Sequence, residues 1–356
     1  MNVSRALLEL LEHYSPSGRE EGVARVVERL ASEAGYSQVR VDATGNVIAE
    51  AGSGRPSVLL CGHMDTVAGF IEPRVDGDRI FGRGAVDAKS PLLALLLGGA
   101  MAHRSGFPGK VVFAGAVGEE SRSKGIYSIS RELQATDFAV FGEPSNTKDI
   151  TVGYKGRLLV SVSVDTEAHH ASAPWLGRNA VDVVYDILGR LRGEFGNGSQ
   201  FRDTSCSVTR LSAGTAHNVT PSSARMLLDL RFPPSVTAAE AMERLRGVLG
   251  GDGSLRVRKL SSVEAYVSDM KSPLVASFRR AIESVTGSRP SLLFKSGSGD
   301  MNILGRLWGI PCITYGPGDP QMSHTRLEWV SAGDVEKAAS VTAEALLGLG
   351  NVSRGD

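Results

Sequence analysis

Cysteine is scarce in this chain. Cys61, Cys206 and Cys312 are the whole supply in 356 residues, far apart and without a C-x-x-C pair. That excludes a disulfide-built scaffold and a thiolate metal site, and predicts core thiols in a reducing cytosol. Net charge is lacking too: 39 Lys and Arg stand against 39 Asp and Glu, so no global field draws nucleic acid or an anionic membrane. Long apolar runs are also missing. The greasiest stretch, residues 91–102, is too short to cross a bilayer, and residues 1–5 lead into an amphipathic helix rather than a signal segment. These absences predict a soluble cytoplasmic protein with no nucleic-acid or membrane partner. What is there is ordinary in bulk, with 42% apolar residues, but 356 residues exceed one usual core and predict two domains.

The pattern along the chain divides accordingly. Residues 3–13 and 20–34 carry apolar positions at helical spacing. Buried-strand runs follow at 58–63, 110–117, 138–141 and 311–316, with a helix opened by Ser90-Pro91 between the first two. Between residues 157 and 265 the style changes: 157–165 alternates apolar and polar, and the order reads β-α-β-β-α-β, the split βαβ pattern. The expected fold is therefore α/β. Its catalytic domain, residues 1–156 and 266–356, has a mainly parallel sheet flanked by helices, and an α+β ferredoxin-like domain is inserted at 157–265. A last helix is expected from Ser331 to about Leu347, stopped by Gly348, with a loose tail beyond.

The apolar run at 58–62 ends in His63-Met64-Asp65, two polar side chains that point the same way on an extended segment. The other buried strands also finish in, or just before, residues of metal-ligand type: Glu119-Glu120, Glu143 and His324. Asp87 lies in a glycine-rich loop among them. Strand ends of one parallel sheet share a rim, so these groups can converge. The bland alternative, scattered solvated carboxylates, needs four coincidences. The donor set is nitrogen and oxygen with no thiolate, which suits zinc, cobalt or manganese, and it exceeds what one catalytic zinc uses. Two divalent ions sharing a carboxylate use the surplus. Neighbouring side chains on a strand diverge, so one of Glu119 and Glu120 should ligate while the other stays free as general base. Asp65 suits a role orienting the His63 imidazole.

Together, His63-Met64-Asp65-Thr66, Gly82-Arg83-Gly84-Ala85-Val86-Asp87, Gly118-Glu119-Glu120, Gly142-Glu143-Pro144 and His324 resemble the aminoacylase/DapE/carboxypeptidase G family of di-zinc amidohydrolases and exopeptidases. The resemblance spans nearly the whole chain. It implies a zinc-exopeptidase-like catalytic domain and an inserted lid that joins a homodimer. It assigns His63 and Glu143 to one zinc, Glu120 and His324 to the other, Asp87 to the bridge, Glu119 to the general base and Asp65 to orientation. In the inserted domain, Ala168-His169-His170-Ala171-Ser172-Ala173-Pro174 is similar to the family segment whose histidine, here His170, reaches a partner subunit's active site. His217-Asn218-Val219-Thr220-Pro221 points to Asn218 as a substrate contact. Arg231 matches an arginine suited to carboxylate binding, with an ordinary salt bridge as its alternative.

Lys295-Ser296-Gly297-Ser298-Gly299-Asp300 resembles the substrate loop of one branch, the [LysW]-lysine/[LysW]-ornithine hydrolases, which marks Lys295, Gly297 and Ser298 as substrate-binding candidates. Gly153-Tyr154-Lys155-Gly156-Arg157 resembles the same branch. Two positions depart from the usual pattern: Gly-Ser-Gly-Asp replaces Gly-Thr-Ser-Asp, and Ser90 stands where glycine is common. The branch implies release of lysine or ornithine from the γ-carboxyl of the terminal glutamate of an acidic amino-group carrier protein. Lys110, Arg122, Lys124, Lys148, Lys155 and Arg157 are then candidates for a docking patch, each against the alternative of a solvated side chain. N-acetylornithine deacetylase, succinyl-diaminopimelate desuccinylase, a dipeptidase or carboxypeptidase, and a non-catalytic metal-binding homologue remain as alternatives.

Overall fold

Helical periodicity near the start becomes two helices, Val3–Glu12 and Glu21–Ala34, each burying one apolar stripe. The Asn2 side chain caps the first by accepting from Arg5 N, and Gly35, in the left-handed region at φ 99°, ends the second. The computed structural model describes residues 2–196, 198–251 and 253–352. It divides into two units: one of residues 1–153, 268–294 and 299–356, the other of residues 154–267 and 295–298.

The larger unit is built on a sheet whose strands run in the order Gln38–Val41, Val47–Ala51, Lys110–Ala116, Ser57–His63, Phe138–Gly142, Cys312–Tyr315 and Ile150–Tyr154. The four strands from Lys110–Ala116 to Cys312–Tyr315 are parallel, and the outer ones are antiparallel. Ser57–His63 sits between two parallel neighbours and is buried beyond its first residue, as its unbroken apolar run predicts. Helices Lys89–Arg104 and Ala332–Val352 pack closely, because Gly98 leaves room that a Cβ would fill with a clash against Thr342. The last helix does not stop at Gly348. It continues to Val352, and Gly348 serves close packing instead: a Cβ there would collide with Ser277 Oγ, which donates to Ala345 O at 2.7 Å. Residues 353–356 of the expected tail lie outside the described residues.

Several elements had no sequence expectation. Asp300–Trp308 is a helix, and a small sheet joins Arg74–Asp76, Arg79–Phe81 and Trp329–Ser331. Its pairing of Trp329 with Phe81 puts Glu328 beside the glycine-rich loop.

The smaller unit is a four-stranded antiparallel sheet in the order Ser205–Ala213, Ser223–Phe232, Gly156–Asp165 and Leu255–Val263. Helices Ala180–Phe195 and Ala238–Leu249, both opened by capping boxes (Asn179 with Asp182, Thr237 with Glu240), cover one face. Leu158, Val160, Val162 and Val164 point into that covered core, and the intervening residues face away from it. The cysteines are free thiols, Cys61 and Cys312 buried. No helix among the described residues is long and apolar enough to cross a membrane.

Candidate metal centre

The rim at the carboxyl ends of the parallel strands gathers the polar groups. Ser57–His63 delivers the buried His63, and its Nε2 lies 3.1 Å from Asp87 Oδ1 and 3.9 Å from Glu143 Oε1. The other oxygen of Asp87 faces the opposite way: Oδ2 is 3.3 Å from His324 Nε2, which is 2.9 Å from Glu120 Oε1. Donor atoms of His63, Asp87 and Glu143 thus form one trio, and those of Asp87, Glu120 and His324 another, all within 4.8 Å of one another in each. His63, Glu119 and Glu120 form a third such group. Asp87 belongs to two trios and turns one oxygen to each. A hard or borderline divalent ion fits such nitrogen-and-oxygen donors.

The charge state of the protein alone shows the same demand. Burial opposes a charged His63, yet its hydrogen bonds with Asp65 and Asp87 hold its pKa well above the usual histidine value. Hydrogen bonds to Asp87 and Glu120 raise His324 to about 10. Burial alone would raise Asp87, but the two histidines hold it below the usual carboxylate range. A cluster this rich in carboxylates draws positive charge onto whatever can carry it.

Asp65 is fully buried, and its carboxylate faces both the His63 ring, with Oδ1 3.6 Å from Nδ1, and the backbone of the two glutamates. His63 Nδ1 donates to the Asp65 backbone carbonyl at 2.8 Å, and Nε2, 3.1 Å from Asp87 Oδ1, is the nitrogen that would give up its proton to bind an ion. The carboxylate accepts the backbone N–H groups of Glu119 and Glu120 at 3.0 and 3.1 Å and the Ser17 hydroxyl at 2.6 Å. It therefore fixes the backbone from which both glutamates project. Burial pushes the Glu119 carboxyl well above its ordinary range, with Asp300, Glu143 and Glu120 adding to the push. Gly299 lies against Glu119: a Cβ there would come within 3.1 Å of its Oε1. Asp300, buried beside it in sequence, is raised to about 7 by burial, and its Oδ1 has no hydrogen-bond partner among the described residues. His324 is held at φ 63°, a left-handed conformation unusual for a residue with a side chain.

Glu328 was not visible as a site residue in the sequence. Its buried carboxylate accepts the backbone N–H groups of Gly84, Val86 and Asp87 at 3.1, 2.9 and 2.9 Å, and Arg83 Nη1 at 2.9 Å. It holds the whole loop that presents Asp87. Lys89 is likewise buried; its Nζ donates to the Leu10 and His13 carbonyls at 2.9 and 2.8 Å, and burial lowers it to about 7.

The remaining candidates are in the smaller unit. Arg231 donates to Asp229 Oδ1 at 2.6 Å and to Ser298 Oγ at 3.3 Å. Lys295 Nζ stands 6.0 Å above the Tyr154 ring, against which Gly297 also packs. His170 is exposed, with Nδ1 2.7 Å from Ser172 Oγ, and bridges to Val219 next to Asn218, whose carbonyl accepts Ala171 N at 2.9 Å. Of the expected docking residues, Lys155 is buried and donates to Asp203 O at 2.7 Å. Arg157 is bound to Asp229 and Lys110 to Glu50, at 2.7 and 2.6 Å. These three are not free to form a docking patch.

The sequence profile of peptidase family M20/M25/M40 matches residues 59–348. A [LysW]-lysine/[LysW]-ornithine hydrolase of Sulfurisphaera tokodaii is 30% identical over 94% of this chain and 91% of its own. A provisionally named hydrolase of the same type from Aeropyrum pernix is 35% identical over 96% of this chain and 95% of its own. Among solved structures, an M20 family metallo-carboxypeptidase from Sulfolobus solfataricus superposes with a TM-score of 0.83 at 18% identity, covering 99% of this chain and 100% of that one.

Proposed function

The chain belongs to peptidase family M20/M25/M40 and is a metal-dependent hydrolase, and from that premise we propose that it frees lysine or ornithine from the γ-carboxyl of a carrier protein's terminal glutamate. The observation that carries this reading is end-to-end similarity to relatives named for that substrate. Arg231 with Ser298, and Lys295 beside Tyr154, supply cationic and hydroxyl groups for a substrate that bears carboxylates. Asn218 and Gly297 belong to the same proposed set of substrate contacts.

In this reading His63, Glu143 and Asp87 would hold one divalent ion, and Glu120, His324 and Asp87 the other. Zinc is the proposed ion; cobalt and manganese suit the same donors. When bound, the two ions supply Lewis acidity at the scissile carbonyl and make water acidic enough to lose a proton near neutral pH. Glu119 takes that proton on its free carboxylate and returns it to the departing α-amine, so one group serves as base and then acid. Asp65 keeps Glu119 and Glu120 in place through their backbone N–H groups, and Glu328 does the same for Asp87. His170 would act across a homodimer, donating to the oxyanion of a partner's substrate.

A paired hydrolysis assay on metal-reconstituted protein tests the reading. Carrier-linked lysine and ornithine compete with N-acetylornithine and succinyl-diaminopimelate. The carrier conjugates should be cleaved with the higher kcat/KM. Preference for a small acyl amino acid would discard the carrier and keep the hydrolase.

A further inference from the structure

The open face of the four-stranded sheet in the smaller unit carries charges that the hydrolytic site does not use. Strand register sets its side chains in cross-strand rows. Ser212, Arg225, Ser163 and Arg256 make one row, and Arg210, Leu227, Ser161 and Arg258 the next. Arg256 is paired with Asp165 at the margin. Arg210, Arg225 and Arg258 are exposed, with no hydrogen bond or ion pair to another described residue. The other acid on this face, Asp229, is already bound by Arg157 and Arg231. Small serines at the centre leave a trough of about 530 Å³ bordered by Arg210, Arg225 and Arg256.

Like charges massed on one sheet face repel one another, and no acid among the described residues pairs with these three guanidinium groups. A binding partner of opposite charge would. Adjacent strands are roughly 4.8 Å apart, so Arg210 and Arg258, three strands apart in one row, stand about 14 Å from each other. That spread suits several carboxylates on a polypeptide rather than one small anion, and guanidinium groups bind carboxylates bidentately. The two rows offer no aromatic ring for base stacking, and the chain as a whole is neutral, which disfavours nucleic acid.

We propose that this face docks a carboxylate-rich polypeptide surface, that of the carrier which presents the scissile amide. The chemistry of the partner follows from the rows; its identity as the carrier rests on the function proposed above. The surface is separate from the six-residue patch expected from the sequence, in which Lys110, Lys155 and Arg157 are engaged elsewhere while Arg122, Lys124 and Lys148 are exposed.

Steady-state kinetics of the metal-loaded full chain test it with two substrates. One is lysine on the carrier; the other is lysine joined through its α-amino group to the γ-carboxyl of free glutamate. The Arg210→Glu/Arg225→Glu/Arg258→Glu variant should lose at least about tenfold in kcat/KM for the carrier conjugate at low salt, with a shallower salt dependence. Its rate on glutamyl-lysine should be unchanged. The corresponding triple Arg→Gln variant should shift the same way by less, and keeps the test open if the glutamate variant does not fold. Unchanged kinetics on the conjugate would overturn the docking face, and so would a parallel loss on both substrates. If the wild type cleaves glutamyl-lysine but not the conjugate, the carrier reading fails by itself. Binding of a poly-glutamate peptide, lost in the triple variant, would then uphold the face, and no binding would overturn it. Stronger binding of single-stranded RNA than of poly-glutamate, or a changed oligomeric mass in the variant, would assign the face to another occupant and overturn the proposal.

Discussion

The two sheets of this protein expose polar chemistry in opposite ways. In the larger unit the central strands are parallel and covered, so their side chains of metal-ligand type gather where the strands end, and there carboxylates and histidines crowd within 4.8 Å of one another. In the smaller unit the sheet is antiparallel with one face open, so every second residue meets solvent and arginines spread across whole rows. A rim concentrates negative charge on a point, which is what a divalent ion requires. A face distributes positive charge over an area, which is what a macromolecular surface requires.

Three substitutions would sharpen or break that contrast, ranked by their expected effect on hydrolysis. Glu119→Gln should lower kcat roughly 10²–10⁴-fold, because it removes the proton acceptor. Metal content measured by atomic absorption should stay at the wild-type level, and loss of metal would make Glu119 a ligand rather than the base. Glu328→Gln comes next. It puts an amide N–H₂ among the donors from Gly84, Val86, Asp87 and Arg83, and should weaken metal affinity by about 10–100-fold. Chelator competition measures this, and an unchanged affinity would show that the loop holds Asp87 without it. Leu228→Ala should affect hydrolysis least. Leu228 is fully buried in the core of the smaller unit, so its truncation should cost roughly 2–5 kcal/mol of stability. Thermal melting should show that loss while metal affinity stays constant, and a parallel loss of affinity would mean that the centre depends on the smaller unit's core.

The rim could be anticipated because each of its strands announces itself locally. Val58 to Gly62 is an unbroken buried run, and the residue that follows it stands at the sheet's end. The alternation from Arg157 to Asp165 likewise predicts a sheet with one covered face, and the structure buries Leu158, Val160, Val162 and Val164. Glycine was harder to interpret. Gly348 looks like a helix stop but lies inside a helix, because its missing side chain admits Ser277. The expected docking patch is thinned for a similar reason: burial and pairing decide whether a basic side chain is available, and Lys155 is enclosed while Arg122, Lys124 and Lys148 stay exposed.

The sequence by itself determined the elements and the inventory of donors, since periodicity and strand-end chemistry act over a few residues. Tertiary structure alone decided how those donors are divided and held. Asp87 turns one oxygen to His63 and the other to His324, and Asp65 binds the backbone of Glu119 and Glu120 as well as offering its carbonyl to His63. Glu328 reaches Asp87 across 241 positions of sequence through a three-stranded sheet. No local pattern carries such pairings, because a buried carboxylate is satisfied by whichever N–H groups the fold brings to it.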